Sequence, residues 1–567
     1  MKKKFLLLII LFTLLIGQGA FASNEDEQWP IPNEYAFGHH SVLIQDNDAS
    51  ATAFSILTLT DGTNNYICSS LRDPKCSGAT TGTFRALLPA CSSDSDRDCI
   101  VAVEAIDASG NLLKGRFVEY TYSGEHPNKF TGDGVVTPLH ASEPSIWTIE
   151  GADHGFGNEY GVIVGLSNGL RVGSPRYPNS SFFMNIFPVS RLNTEFSYLD
   201  MNGYSNFPKC IDKFNQSGVS TIGCGGGAQE FGKYRCALKM IKNATCLLQH
   251  AFPKDFRFRI IARLAQEPTG IFHGRLSDPT ITINRIDNGT EISVEAGSVR
   301  VPILYSGGDW NTLPIEIQNY WNECLGNGSC KSSTRQATGN DWNNPLQRNT
   351  QDYAIPYGNR ALNLIQTFSN VTKDTSVSAP SSWNIRTLGQ DQMQGAAECF
   401  TNGKGFIGVV STNSTTYSEG PPRFENGSLN YKVASLHFLS NGEVFKGTYN
   451  LILRSDVARC LYGFSAAPIS ANISILSADG QAQVATTVVN EKNNWLSLSA
   501  SGFTFSSPTI NVKLSQEAPV ATPSPTSSST PSPAPAKKFT LKCAKGKTIK
   551  RVSGSAPRCP VGFKKVA

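Results

Sequence analysis

The sequence predicts a mainly β protein, with two or three antiparallel, sandwich-like β-domains, a short helical or irregular segment, a disordered linker and a small basic C-terminal module. Three observations lead to this prediction. Short apolar runs alternate with turn signals through most of the 567 residues, as they do in chains of short strands. Fourteen cysteines, an even number, are typical of an exported, disulfide-bonded chain. Residues 517–536 are mostly Pro, Ser, Thr and Ala, which favours an extended spacer over a packed core.

The first residues have the pattern of a signal peptide. Three lysines precede an apolar stretch at residues 5–16, and Ala20-Phe21-Ala22 then provides a cleavage site of small residues. The alternative is a membrane anchor, but about a dozen apolar residues are fewer than the roughly 20 that span a bilayer. Residues 1–22 are therefore predicted to be removed, which leaves an exported chain without a membrane span.

The first half of the mature chain is predicted to be β. Residues 23–150 and 151–305 form one β-domain each, or one continuous domain, with a cysteine-rich insertion at residues 201–252. From Phe256 to Leu264 apolar residues mostly alternate with arginines, the period of a half-buried strand. Asn288-Gly289 between two such runs predicts a hairpin.

The pattern changes at residues 306–397, which are predicted to be a helical and aromatic segment. Thr312 is placed to cap a first helix. The apolar stripes of two helices consist of Leu313, Ile317, Tyr320, Trp321 and Cys324, and of Ala361, Leu364, Ile365 and Phe368. Residues 398–516 return to the β-pattern and are predicted to be a β-sandwich, in which Leu496 and Leu498 alternate with serines.

Two disulfide pairings follow from how the cysteines are distributed. Only Cys543 and Cys559 lie beyond the linker, and only Cys399 and Cys460 lie in their region, so each pair is predicted to bond. The pairing of the other ten stays open, with Cys91–Cys99 and Cys236–Cys246 as candidates.

The C-terminal module, residues 537–567, is a polycation. It has ten Lys or Arg and no Asp or Glu, whereas the mature body before it has 37 basic and 45 acidic residues. Such segregation indicates an anionic partner for the module, and an anionic cell-wall polymer is predicted. The alternative is a soluble cap with no partner. The predicted polyanion-binding residues are Lys537, Lys538, Lys542, Lys545, Lys547, Lys550, Arg551, Arg558, Lys564 and Lys565.

Several stretches resemble recurring parts of exported actinobacterial proteins whose function is not established. These are Ala458-Arg-Cys-Leu-Tyr-Gly-Phe464, Gly502-Phe-Thr-Phe-Ser-Ser-Pro508, and the module's Cys543-Ala-Lys-Gly-Lys547 with Cys559-Pro-Val-Gly-Phe563. The resemblance implies secretion and a modular chain, and it transfers no active site.

Some motifs in the sequence resemble catalytic or metal-binding sites. Gly165-Leu-Ser-Asn-Gly169 matches the nucleophile elbow, but no helix can follow comfortably, so Asn168-Gly169 is predicted to be a hairpin turn. Asp94, Asp96 and Asp98 are predicted to form a solvated turn, with a calcium loop as the alternative. His39-His40 and Asp153-His154 are predicted to be surface or core-edge residues. No catalytic residue, cofactor or metal site is predicted.

Aromatic residues near a cluster of Asn and Asp are the candidate ligand-binding surface of the body: Trp310, Trp342, Tyr353 and Tyr357. The alternative is that these rings pack the helices onto the β-domains. The leading hypothesis is a non-catalytic exported protein of the cell surface, whose body recognises a glycan or protein and whose tail contacts the wall. An exported polysaccharide or peptide hydrolase and a structural surface-layer component are the alternatives, and nucleic acid is not an expected partner.

Overall fold

The computed structural model divides the chain into two compact units, residues 1–515 and 516–567. The signal peptide and the linker predicted at 517–536 lie outside the described residues. No helix among the described residues is both long and apolar enough to cross a membrane. The structure describes residues 27, 37–46, 55–121, 130, 141–173, 181–191, 229–231, 234–240, 245–326, 335–339, 343–401, 405–465, 469–476, 486–505, 509–516, 539–554 and 556–566.

The predicted mainly β fold is confirmed. The first strands along the chain are β1 (His39–Ile44), β2 (Ile56–Thr60), β3 (Asn65–Cys68), β4 (Thr81–Leu87), β5 (Cys99–Ile106), β6 (Leu112–Tyr120), β7 (Ser145–Ile149), β8 (Glu159–Arg171), β9 (Ser181–Arg191), β10 (Gln229–Phe231), β11 (Tyr234–Met240), β12 (Thr245–Gln249), β13 (Arg257–Leu264), β14 (Gly270–Arg275), β15 (Ser277–Ile286), β16 (Gly289–Gly297) and β17 (Val299–Arg300).

Helices and strands then alternate. They are β18 (Leu304–Asp309), α1 (Ile315–Gly326), β19 (Arg335–Gly339), β20 (Arg348–Ala354), α2 (Gly358–Ser369), β21 (Ser381–Ser382), β22 (Asn384–Thr387), α3 (Glu398–Thr401), β23 (Phe406–Thr412), β24 (Thr416–Tyr417), β25 (Arg423–Glu425), β26 (Ser428–Ala434), β27 (Gly447–Arg454), α4 (Ser455–Tyr462), β28 (Ile469–Leu476), β29 (Thr486–Lys492), β30 (Trp495–Phe503) and β31 (Thr509–Gln516). The second unit contains β32 (Phe539–Lys545), β33 (Thr548–Gly554) and β34 (Lys564–Val566).

Twenty strands of the first unit belong to one continuous hydrogen-bonded system. The long strand β8 pairs with β9 along one edge and with β7 and then β4 along the other. From β7 the pairing continues through β6, β5, β13 and β16 to β15. From β9 it continues through β22 and β14 to β23, β27, β30 and β29. Strand pairing therefore runs across the boundaries predicted near residues 150, 305 and 397.

Strand β13 shows why the alternating pattern produces this sheet. Its apolar residues Phe258, Ile260, Ala262 and Leu264 are fully buried, and the residues between them lie on the other face. There Arg259 pairs with Glu104 of β5 at 2.6 Å, and arginines at 257 and 263 pair with glutamates of β16. The period-2 prediction for this strand is confirmed.

Residues 306–397 contain α1 and α2, which share a core with the four-stranded sheet of order β18–β1–β20–β19. Both predicted stripes are confirmed, since all their residues are buried except the partly buried Tyr320. The predicted cap at Thr312 is wrong. Thr312 ends a short 3₁₀ turn and its hydroxyl donates to the carbonyl of Asp309 at 3.1 Å, so α1 begins at Ile315.

The region from β23 to β31 is a two-layer β-structure. Alternate residues of β30, including Leu496 and Leu498, are buried in one core with residues of β26, β27 and β31. The predicted disulfide Cys399–Cys460 joins α3 to α4 at the edge of this core.

Two hairpin predictions have opposite outcomes. Asn288 lies between β15 and β16 with φ +57°, so that hairpin is confirmed. The turn predicted at Asn168-Gly169 is wrong, because β8 continues to Arg171 and these two residues pair with Phe84 and Thr83 of β4. Pairing with a neighbouring strand outweighs the local turn preference of Asn-Gly.

Four disulfides are present in the described part of the chain. Besides Cys399–Cys460 they are Cys68–Cys76, Cys91–Cys99 and Cys543–Cys559. The candidate pair Cys91–Cys99 is confirmed, whereas the side chains of Cys236 and Cys246 lie outside the described residues.

Candidate functional site

The second unit, predicted to bind a polyanion, is an antiparallel sheet of order β33–β32–β34. Directly opposite residues share a face, and successive residues of a strand alternate between faces. The register therefore sorts the cations into two sets. The side that we name the open face carries Lys542, Ala544, Ile549, Arg551 and Lys564. The side that we name the covered face carries Leu541, Cys543, Lys545, Lys550 and Lys565.

The covered face is covered by the segment that leads into β34. Cys559 is bonded to Cys543, whose side chain is fully buried. The ring of Phe563 lies 5.5 Å from Lys550 Nζ, close enough for a cation–π contact. Gly562 lies against Lys545, since a Cβ there would be 3.2 Å from its Nζ. Two of the cations on this face are thus in contact with the unit itself.

The open face has its cations exposed and close together. Lys542 of the central strand is directly opposite Arg551. Lys564 is opposite Ala544, which is the next residue of the central strand on the same face. Directly opposite side chains have Cβ atoms roughly 5 Å apart, and like charges at that spacing repel. No Asp or Glu occurs in residues 537–567, so these residues include no acidic side chain that could relieve this repulsion. A bound anion would relieve it.

The remaining predicted cations are distributed around this sheet. Lys547 follows Gly546, which has φ +61° and makes the turn between β32 and β33. Arg558 is exposed next to the disulfide, and Lys537 and Lys538 lie outside the described residues. Their number and charge alone predict the same polyanion-binding role for all ten cations. The alternation within residues 540–544 and 549–553 is the signal that separates the two faces.

No family model matches this chain, and no curated protein is significantly similar to it.

The resemblance to exported actinobacterial proteins therefore stays a prediction.

Two of the four predicted aromatic side chains are described, and they pack against different cores. Trp310 is half-buried against the core of α1 and α2, with its ring 4.7 Å from that of His40. Tyr357 packs against the core of β26 and β30, and the Arg386 guanidinium lies 5.4 Å from its ring centre. Trp342 and the side chain of Tyr353 lie outside the described residues. The two described rings pack helices and strands together.

The histidines singled out from the sequence have structural contacts. His40 is fully buried and its ring bonds to the Pro345 carbonyl and to the Thr350 hydroxyl, at 2.8 and 2.5 Å. Burial lowers its pKa to about 4. His154 is buried with its ring stacked 5.5 Å from that of His250, and burial lowers its pKa too. Both histidines are thus neutral side chains that pack within the core.

The three aspartates near Cys91 do not converge on one point. Asp96 accepts hydrogen bonds from the backbone and hydroxyl groups of Ser92 and Ser93, whereas Asp94 is exposed beside Arg263. Asp98 is buried and accepts from the Ala265 amide at 3.0 Å. The solvated turn predicted here thus holds for Asp94 and Asp96 and is wrong for Asp98. Among the described residues no cluster of three or more His, Cys, Asp or Glu is placed to hold a metal ion.

Proposed function

We propose that this chain is an exported, non-catalytic binding protein of the cell surface whose C-terminal unit binds an anionic cell-wall polymer through its open face. The observation that carries the proposal is the directly opposed, exposed pair Lys542 and Arg551, in a sheet whose surrounding residues 537–567 include no Asp or Glu. Lys564 adds a third charge to the same face. Together they form a patch of three cations on a small rigid sheet.

The chemistry of this patch suits a flexible phosphate-bearing chain. Arginine binds phosphate through a fork of donors, and lysine supplies a point charge. Ile549, which is 64% exposed among the cations, offers an apolar contact for the carbon skeleton between phosphates. We propose that export brings the protein to such a polymer rather than to nucleic acid, and the disulfide bonds support this.

The body of the protein differs from the tail in charge. Its excess of acidic residues repels the polymer that the tail attracts, so the tail would hold the body near the wall without covering it. We propose that the body is then available to recognise a second partner, a glycan or a protein.

The test measures retention of the full mature chain, residues 23–567, on immobilised poly(glycerol phosphate) over a range of salt concentrations. The variant Lys542→Gln/Arg551→Gln/Lys564→Gln removes the three cations of the open face. We expect weaker retention and a slope of log affinity against log salt that is smaller by about 2, as for the loss of three contacts to a single-stranded polyanion.

The matched control is Lys545→Gln/Lys550→Gln/Lys565→Gln, which removes the same charge from the covered face. We expect it to retain most of the affinity and the slope. Equal losses in the two variants would show that only net charge matters, and would refute a binding face. No retention of the unaltered chain at low salt would refute the proposed function of the tail.

A further inference from the structure

A cavity of about 240 Å³ lies in the first unit, where β4, β8, β9 and β22 are consecutive neighbours. Three cross-strand pairs that line it lie on one face of the sheet: Arg85 with Ser167, Phe183 with Arg386, and Asn185 with Asn384. The two arginines are on outer strands, three strand spacings or roughly 14 Å apart across the sheet and two residues apart along it. They form opposite walls, and the residues between them form the floor.

Arg85, which forms one wall of the cavity, has an unusual environment. Its guanidinium makes no hydrogen bond and no ion pair with any of the described residues, and more than a third of the residue is accessible to solvent. The surrounding protein nevertheless desolvates the group enough to lower its pKa. A charge that is accessible but surrounded by protein is what a concave binding site contains. On the opposite wall Arg386 is held by Gln392 Oε1 at 2.8 Å.

The floor contains two side-chain amides whose carbonyl oxygens accept no hydrogen bond. Asn185 and Asn384 are each 5% exposed, and the Oδ1 atom of each is buried without a hydrogen-bond partner in the described structure. The Nδ2 group of Asn384 is used, since it donates to Ser382 Oγ at 3.0 Å. Leaving such an acceptor unsatisfied is unfavourable, so hydroxyl donors entering the cavity would bind well at this point.

The rest of the cavity is small, and apolar residues line it together with Ser167, Ser181 and Thr387. The ring of Phe183 lies across Gly165, where an added Cβ would be 2.5 Å from its Cζ, and Ile163 lies beside it in the lining. The cavity volume of about 240 Å³ is room for one sugar ring. No Asp or Glu lines the cavity to oppose an anion.

We propose that this cavity binds a single acidic sugar ring, a uronate. Its carboxylate would bind the Arg85 guanidinium, its hydroxyls would donate to the oxygens of Asn185 and Asn384, and its C–H face would pack on Phe183. The inference rests on the proposed function only in taking the body to recognise a glycan, and it names the chemical class of that glycan.

The experiment titrates the full mature chain with glucuronate and with glucose, the neutral parent sugar, by calorimetry or ligand-observed NMR. We expect saturable binding of glucuronate and at least tenfold weaker binding of glucose. Arg85→Gln should weaken glucuronate binding about ten- to hundredfold, the effect of a lost charge-assisted hydrogen-bond pair, and leave glucose binding unchanged. Arg285→Gln is the matched control, because Arg285 is also an exposed strand arginine, and should bind glucuronate like the unaltered chain.

Equal binding of the two sugars, no saturable glucuronate binding, or an Arg85→Gln protein that binds normally would each overturn this inference. The open-face variant of the tail should bind glucuronate normally, and Arg85→Gln should keep its retention on poly(glycerol phosphate). The two proposals therefore fail separately, since one depends on the tail cations and the other on Arg85.

Discussion

Asp96 and Asp98 are two residues apart and have opposite environments. Asp96 is partly exposed and its carboxylate accepts four hydrogen bonds from Ser92 and Ser93, which hold its pKa below the usual range. Burial raises the pKa of Asp98, and the single hydrogen bond from Ala265 opposes this only in part. The two carboxyl groups should therefore contribute to stability with opposite dependence on pH.

The first prediction concerns Asp98→Asn. The folded state holds the Asp98 proton more tightly than the unfolded state, so its contribution to stability is full below about pH 4 and is lost as pH rises through the folded pKa. Asparagine keeps an acceptor and tolerates the φ of +53° at this position, without the buried charge. We expect the variant to match the parent in acid and to be more stable than the parent at pH 7, as measured by urea unfolding at both pH values.

Asp96→Asn is the control for that prediction. The stabilising contribution of Asp96 is present above its unfolded pKa and lost as pH falls, so this variant should be less stable than the parent at pH 7. If both substitutions shifted the urea midpoint in the same direction at pH 7, the opposite environments described here would be contradicted.

The second prediction concerns His250, which is buried against His154 and bonds to the Ser190 hydroxyl at 2.6 Å. Burial, with a smaller effect of His154, lowers its pKa to about 4. Its contribution to stability is full above pH 6.5 and is lost as pH falls towards 4, because the unfolded chain takes up the proton first. Both proteins should lose free energy of unfolding between pH 6.5 and pH 4. We expect the loss in His250→Gln to be smaller than the loss in the parent by roughly 2 kcal/mol. Equal losses in the two proteins would contradict this.

At the scale of the element, strand β8 shows how pairing selects glycine. Gly165 and Gly169 belong to the same sequence motif and lie four residues apart in one strand. A Cβ at Gly165 would be 2.5 Å from Phe183 Cζ and 2.9 Å from the Ala86 carbonyl, whereas at Gly169 the nearest atom would be 3.9 Å away. Only the first glycine is required by packing.

The third prediction is therefore that Gly165→Ala destabilises the protein by about 1–3 kcal/mol through overpacking. It should also weaken glucuronate binding, because the Phe183 ring must move. Gly169→Ala should change the free energy of unfolding by no more than about 0.5 kcal/mol. Thermal unfolding of both variants checks this, and a similar loss from both would count against the packing described for Gly165.

At the scale of the whole molecule, charge is divided between the two units. The eight described cations of the second unit are all exposed lysines or arginines, and the unit has no histidine. Lysine and arginine as residue types carry their charge throughout the range from pH 6 to 8, and exposed charges are screened by salt. Retention on a polyanion should thus respond to salt far more than to pH.

The fourth prediction follows from that division. Retention of the full mature chain on poly(glycerol phosphate) should change less than twofold between pH 6 and pH 8 at low salt. Raising the salt from 50 to 500 mM at fixed pH should release it, since the contacts are screened and counterions compete. Column elution at each condition measures this, and release by pH alone would point to a titrating group that the proposed open face does not contain.

Features that depend on local pattern, or on position along the chain, could be predicted from the residues alone. Alternation in β13 and β30, the stripes of α1 and α2, and the pairs Cys399–Cys460 and Cys543–Cys559 could all be predicted, because each depends on residues near in sequence or on cysteines isolated from others. The cationic tail could be predicted for the same reason.

Which residues lie next to each other across the sheets depends on the tertiary structure. Asn168-Gly169 became part of a strand because β4 pairs with it, and Asp98 became buried because β13 ends beside it. The cavity brings Arg85, Asn185 and Asn384 together from strands up to about 300 residues apart in the chain, and the tail's cations separate into two faces only through the register of β32 with its neighbours. Pairing between distant strands is a property of the folded sheet, and no local pattern in one sequence encodes the partner.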